Sequence, residues 1–332
     1  MITMLSQVAE RVYWMARYLE RAEKTARLIH VHTSLLMDLP DRMEIDWYTL
    51  VRLFNAEQAF REQYGYASEQ NIMQFLVADR NNPSSLASSL GMVRENIRTS
   101  LNVLPEEVWE QANRIHLLVN ESLPNTSDRH LRQVFVRQIM EHCQCIRGAL
   151  DSHMSRDNTF DFMQIGKHIE RADMSTRILE MTSLLLADDR SDILRRYEGI
   201  LWGNLLQALS ARQMYMQHVH SRLNGVKAMN FLLKDTIFPG SVSYSLAAIV
   251  RRMCYLPHPE YPIAKVQRIR DQLASADITA IPADQIHVLM DSLQGEMGVL
   301  QGQIANTWFY PTFNQTQTQS QSGQSQTQRQ GY

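Results

Sequence analysis

The chain has 332 residues, with 33 lysines and arginines against 35 aspartates and glutamates, for a net charge of −2. That balance excludes a generally basic, nucleic-acid-binding surface, and no apolar run reaches the 18 residues of a membrane-spanning helix. Only 13 glycines and 10 prolines, beside 18 methionines and much Leu, Gln and Arg, favour helix throughout.

Helical patterning begins at once. Leu5, Val8, Val12, Met15, Leu19, Ala22, Ala26, Ile29 and Leu36 recur at 3–4 spacing. Ser6 is the expected N-cap, and Pro40 ends the helix after Leu39. A second helix is expected from about Asp46 to Gln63, stopping near Gly65, and a short third ends at Asp79. The loop Asn81-Asn82-Pro83-Ser84-Ser85 then sets a proline in the first turn of a helix reaching Asn102. Pro105 opens another, which ends before Pro124, and Ser127 caps a long one to about Met154.

The second half follows the same plan. Helices are expected over Asn158 to Ala187, Ser191 to about Arg222, a short stretch ending near Lys234, and onward from Pro239-Gly240-Ser241. Pro262 to Ala274 and Pro282 to Trp308 close the fold. No alternating strand pattern of useful length appears. Residues 313–332 are almost only Gln, Thr, Ser and Gly with one charge, Arg329, and are expected to form a disordered tail.

Three cysteines and an N-terminus without a signal-peptide core point to a cytoplasmic address. Cys143 and Cys145 lie about 200° apart around a helix, so they neither bridge nor share a metal there, and Cys254 stands alone.

The chain also repeats itself. Glu20 to Arg27 reads E-R-A-E-K-T-A-R, and Glu170 to Arg177, 150 positions later, reads E-R-A-D-M-S-T-R. The flanks keep register: Met15, Ala16, Arg17 and Leu19 correspond to Ile165, Gly166, Lys167 and Ile169. Asp79, Pro83 and Ser85 correspond to Asp235, Pro239 and Ser241, 156 apart. Solenoid repeats run about 20–50 residues, so a period this long marks a duplicated module. The expected fold class is all-α: two tandem helical bundles, residues 1–156 and 157–312, related by a pseudo-twofold axis.

Glu20, Glu23, Arg27 and His30 line one strip of the first helix, beside its apolar face, and Glu170, Asp173 and Arg177 trace the same strip in the second copy. Arg21 and Arg171 project about 100° round from their glutamates. Charges at a core edge require partners or a ligand. One reading is structural, with Glu23–Arg27 and Asp173–Arg177 as i,i+4 pairs clamping the helix. Another is a cleft between the copies, binding an amine-bearing or zwitterionic ligand or a partner chain. A di-iron site is the weakest, because no Glu-x-x-His accompanies the carboxylates, and His30, His116, His142, His153 and His168 stand singly. Asp79-Pro83-Ser85 and its copy read as helix-capping turns, or as an anion site at a helix N-terminus. No phosphate loop, Ser/His/Asp order, zinc spacing or dinucleotide fingerprint is present, and no cofactor is expected.

The stretch Leu5-Ser6, Val8-Ala9-Glu10, Tyr13-Trp14-Met15, Arg17-Tyr18, Glu20-Arg21-Ala22-Glu23 and Thr25-Ala26-Arg27-Leu28 resembles the opening of the alpha-E family of bacterial helical proteins. The resemblance covers about residues 1–312, through the second Glu170-Arg171 motif to Trp308-Phe309, and position 24 carries lysine where the family pattern has asparagine. It implies a genomic setting beside a circularly permuted ATP-grasp ligase and often a transglutaminase-like peptidase, and hence a system of peptide or amide-bond synthesis. The expected role is an accessory protein that binds ligase or product through Glu20, Arg21, Glu23, Arg27, Glu170, Arg171, Asp173 and Arg177. The alternatives are an enzyme using Glu20 and Glu170 for acid/base chemistry, and a metal- or phosphate-linked helical regulator.

Removing residues 313–332 is expected to leave the melting temperature within about 2 °C of the full chain's, since a loss of 1 kcal/mol shifts it by roughly 2–4 °C in larger domains. Differential scanning calorimetry of the two lengths checks this.

Overall fold

Charge and apolarity are mixed on two long helices, α1 (Ser6–Asp38) and α8 (Asn158–Ala187), and the fold is arranged around that mixture. A computed structural model describes residues 6–39, 45–122, 128–187, 197–282 and 285–310. Both helices bury side chains on most sides, as central helices do: Val12, Leu19, Ala26 and Ile29 on α1, and Ile165, Ile169, Ala172 and Ile178 on α8. Tyr13 meets Gly166, Arg17 bonds Glu170, and Arg171 bonds Glu20. Residue numbers therefore climb together along the seam, so the two helices lie parallel.

The approach is close because Gly166 has no side chain. A Cβ there would fall 2.3 Å from the Tyr13 carbonyl oxygen, inside any tolerable contact. The remaining helices wrap this pair. In the first half they are α2 (Tyr48–Leu53), α3 (Glu57–Tyr64), α4 (Glu69–Met73, continued by a π-turn to Ala78), α5 (Leu86–Arg98), α6 (Glu106–Ser122) and α7 (Arg129–His153). In the second they are α9 (Glu198–Ala208), α10 (Arg212–Val219), α11 (Gly225–Lys234), α12 (Val242–Met253), α13 (Glu260–Ser275) and α14 (Ile286–Ile304, continued by a π-turn to Phe309). The described residues form no strand.

Helices α5 and α7 pack on α1 with α6 between them, and α12 and α14 pack on α8 with α13 between them. Two short helices cross over: α2 packs on α8, and α9 packs on α1. Most buried apolar side chains from Ala9 to Phe309 form one connected core, with a smaller separate cluster of Leu35, Leu39, Ile45 and Leu201. Among the described residues, no helix is long and apolar enough to cross a membrane. Cys143 is buried and Cys145 exposed, as their angular separation requires.

Several boundaries differ from the sequence reading. The helix expected over Asp46 to Gln63 is two helices, because Asn55 adopts a left-handed conformation (φ 51°) after α2. There Asn55 N–H donates to Arg52 O (2.8 Å) and Ala56 N–H to Val51 O (3.2 Å), the paired bonds of a Schellman terminus. The expected helix to Arg222 is broken in the same way at Ser210 (φ 56°), with Ser210 N–H to Gln207 O (3.0 Å) and Ala211 N–H to Leu206 O (2.7 Å). Neither position is glycine, the usual occupant; Asn55 is the next commonest residue there and so carried a weaker stop signal, whereas Ser210 carried none. Pro83 precedes α5 instead of entering it, and Ser85 is the cap. Asp128 caps α7; Ser127 and the expected tail over 313–332 lie outside the described residues.

Two glycine substitutions separate packing from propensity. Gly166→Ala forces α1 and α8 apart and is expected to cost about 2 kcal/mol or more, in the range of overpacked cores. Gly148→Ala on α7 meets no atom within 4 Å and is expected to stabilise by about 0.5–1 kcal/mol through helix propensity. Urea unfolding of both variants measures the contrast.

Candidate functional site

Parallel packing carries Glu20 of α1 and Glu170 of α8 into their shared seam, where they are 1% and 0% exposed. A carboxylate so far from water must be neutralised by paired, hydrogen-bonded charge. Arg171 supplies it for Glu20 with a two-pronged grip, Nε to Oε1 at 2.8 Å and Nη2 to Oε2 at 3.0 Å. Arg21 does the same for Glu170, Nε to Oε1 at 2.5 Å and Nη2 to Oε2 at 3.1 Å. Each glutamate is thus held by the arginine of the other Glu-Arg dipeptide.

This corrects the expectation that Arg21 and Arg171 point away from the strip. They do lie about 100° round from their own glutamates, and in a parallel pair that turn delivers each to the glutamate across the seam. It also corrects the edge placement of Glu20 and Glu170, which are buried within the seam. The i,i+4 pairs are present: Arg27 Nε donates to Glu23 Oε1 at 3.0 Å and Arg177 Nε to Asp173 Oδ2 at 2.8 Å. His30 turns to Gln133 of α7. Arg27 and Arg177 do not converge on the glutamates of both helices; among the described residues each stays on its own helix's acid.

Three participants escaped the sequence reading. Arg17 donates to Glu170 Oε2 at 2.7 Å and also reaches Gln301 of α14. Arg147 of α7 donates to Glu20 Oε2 at 2.9 Å and lies 3.2 Å from Glu23 Oε2. Lys24 is buried on the same helix, 6% exposed. Arg17 had a signal, since its register partner Lys167 is also basic; Arg147, contributed by a helix outside the motif, had none. Lys167 instead lies 3.7 Å from Asp151.

Burial alone would raise the Glu20 pKa, but Arg171 and then Arg147 outweigh it and hold the carboxyl well below its ordinary value. Glu170 is lowered likewise, against its burial, by Arg17 and Arg21, and Glu23, against its burial, by Lys24 and Arg147. Among the described residues no three His, Cys, Asp or Glu side chains converge as a metal site would require.

The second repeated element is a capping turn in both copies. Ser85 Oγ donates to Asp79 O (2.5 Å) while accepting from Ser88 N–H at 3.0 Å. Ser241 Oγ donates to Asp235 O while accepting from Tyr244 N–H at 3.0 Å. Asp79 Oδ1 accepts from Asn81 N–H, and Asp235 Oδ1 from Ile237 N–H, both at 2.8 Å.

A family model described as a predicted alpha-helical domain with a conserved ER motif matches residues 4–309. The chain belongs to the Alpha-E family. In this Alpha-E chain the Glu-Arg dipeptide occurs at Glu20-Arg21 and at Glu170-Arg171, and adjacency has a physical purpose: one residue is gripped by the opposite helix while its neighbour grips back. No curated protein and no solved structure matches the chain.

Glu20→Gln leaves Arg171 and Arg147 short of a counter-charge in the seam and is expected to cost about 3–5 kcal/mol, the range for breaking a buried pair. The pH dependence carries the same signature. Because the folded pKa values of Glu20, Glu23 and Glu170 are depressed below 4.5, their contribution is complete above that value and is lost as pH falls through the folded values. Stability measured by urea unfolding should therefore carry a steep fall below about pH 4.5 from these carboxylates, beneath a shallower loss that begins below about pH 6.5, where buried His32 and His168, their folded pKa values lowered by burial, bind protons only in the unfolded chain. Glu170→Gln should flatten that fall.

Proposed function

We propose that this Alpha-E chain is an accessory, non-catalytic protein of an ATP-grasp amidoligase system for peptide or amide-bond synthesis. It recognises the circularly permuted ligase, or the peptide product, at the cation-rich rim of the Glu-Arg seam, and a transglutaminase-like peptidase is a further partner of the system. The proposal places it in the cytoplasm. We infer further that the chain arose by duplication, with repeats over 1–156 and 157–312 related by a pseudo-twofold axis. The reciprocal Glu-Arg grips, the paired Schellman ends and the matching capping turns support that history.

The observation that carries the functional reading is the saturation of Glu20 and Glu170. A general base works best with a pKa near the operating pH, whereas both carboxylates are depressed and every oxygen accepts from a guanidinium. This speaks against acid/base catalysis, and equally against a metal-linked regulator, since arginines already engage both oxygens of each glutamate. The groups that reach solvent are the arginines of the rim: Arg147 and Arg171 side chains are 19% and 14% exposed. Such a rim suits carboxylate-bearing partners.

The test uses the pairs that are least buried. Arg27→Gln with Arg177→Gln removes two rim charges, at a stability cost that reaches about 3–5 kcal/mol for the pair with Glu23, whose side chain is 3% exposed, and less for the pair with Asp173, which is 15% exposed. Affinity for the purified ligase, measured by calorimetry at a temperature where urea unfolding shows the variant folded, should fall by about tenfold or more, or 1.4 kcal/mol. Unchanged affinity would remove the seam from the recognition surface, and no binding to the ligase at all would overturn the reading.

A further inference from the structure

The seam holds more cations than acids. Six arginines and Lys24 stand against four carboxylates, Glu20, Glu23, Glu170 and Asp173. Each of those arginines reaches a carboxylate. Lys24 does not: among the described residues its Nζ donates no hydrogen bond and meets no acid at ion-pair distance.

The two acids that act on it most strongly, Glu23 and Glu20, have no oxygen to spare. Arg171 and Arg147 occupy both oxygens of Glu20, and Arg27 and Arg147 occupy those of Glu23. Cys143, buried beside the same glutamates, offers no negative charge, because burial pushes its thiol pKa up. Burial and then the fields of Arg171 and Arg27 work against the charged ammonium, with only Glu23 and Glu20 supporting it. The Lys24 stem is buried, the residue being 6% exposed, while its Nζ keeps contact with solvent and can be reached from it.

Packing does not require the charge. The residue in register 150 positions later is Met174, which is buried and apolar. A methionine of similar length thus fills the matching place on α8, while α1 carries an amine there. Between these two register positions only the α1 side carries the amine.

We propose that Lys24 Nζ anchors one oxyanion site per chain, taking a carboxylate or phosphate group that enters past the partly exposed Arg147 and Arg171. The arginines supply a positive approach, and the bound oxyanion completes the hydrogen bonds that Lys24 lacks. This rests on the seam as a recognition face and names the group recognised. The ligase titration repeated with Arg177→Gln alone alters a pair with Asp173 on α8 and leaves Glu23 and Lys24 as they are, so either idea can fail alone.

The experiment titrates glutarate and inorganic phosphate, separately, into the full chain by calorimetry, with NMR observation of the Lys24 side-chain nitrogen. One of the two probes should bind at one site per chain with a Kd of about 1 mM or tighter, and the Lys24 signal should shift on saturation. Glutarate binding identifies a carboxylate ligand such as a peptide end, and phosphate binding alone identifies a phosphorylated one. Lys24→Met, copying Met174, should weaken binding tenfold or more with the melting temperature preserved, and Lys24→Arg should retain it. The proposal is overturned if neither probe binds, if Lys24→Met binds as well as the unaltered chain, or if the Lys24 signal stays fixed when the probe saturates. Should Lys24→Met fail to fold, the NMR titration of the unaltered chain decides.

Discussion

Two ionised glutamates at the centre of a helical core are the constraint on which the arrangement depends. Neither can be left unpaired, and neither is reachable by enough water to be solvated. The answer is reciprocal: α1 supplies the arginine for α8, and α8 supplies the arginine for α1. That reciprocity demands parallel helices in register, and close approach demands Gly166 opposite Tyr13. Such charge costs desolvation that an apolar seam would not incur, and its clearest effect is on specificity. A slip of one residue along the seam would separate both glutamates from their arginines at once.

The surrounding helices serve that seam from two sides. On one, Arg147 comes from α7 to complete Glu20; on the other, Glu170 is completed from α1 itself by Arg17, which Gln301 of α14 steadies. The halves therefore use one plan with unlike third partners. Crossed packing of α2 on α8 and of α9 on α1 ties the halves further, and the apolar core is continuous through both.

For function, the seam's chemistry is that of cations in excess. The acids are fully engaged and turned inward, so what an approaching molecule meets is guanidinium at the rim and, deeper, an amine without a partner. On the reading proposed above, that geometry suits recognition of negatively charged groups. It also explains how one dipeptide serves both structure and surface: the glutamate locks the helices, and the arginine that locks its counterpart remains partly at the edge.

Much was legible from the chain alone. The apolar spacing of α1, the full extent of α8 from Asn158 to Ala187 and the all-helical class follow from periodicity and from proline and serine placement, which act through local sterics and capping. The doubled Glu-Arg motif singled out the residues of the seam, and the repeated Asp-Pro-Ser turn was correctly read as capping. Of the left-handed stops, Asn55 carried a weak signal, since asparagine tolerates that conformation, and Ser210 carried none, because serine seldom adopts it. The destinations of Arg21 and Arg171 were hidden for a deeper reason. A helical wheel shows which way a side chain leaves its own axis, but not which helix stands there. Only the parallel register of α1 and α8 turned two outward-pointing arginines into partners for buried glutamates, and only the fold brought Arg147 from α7 to finish the site.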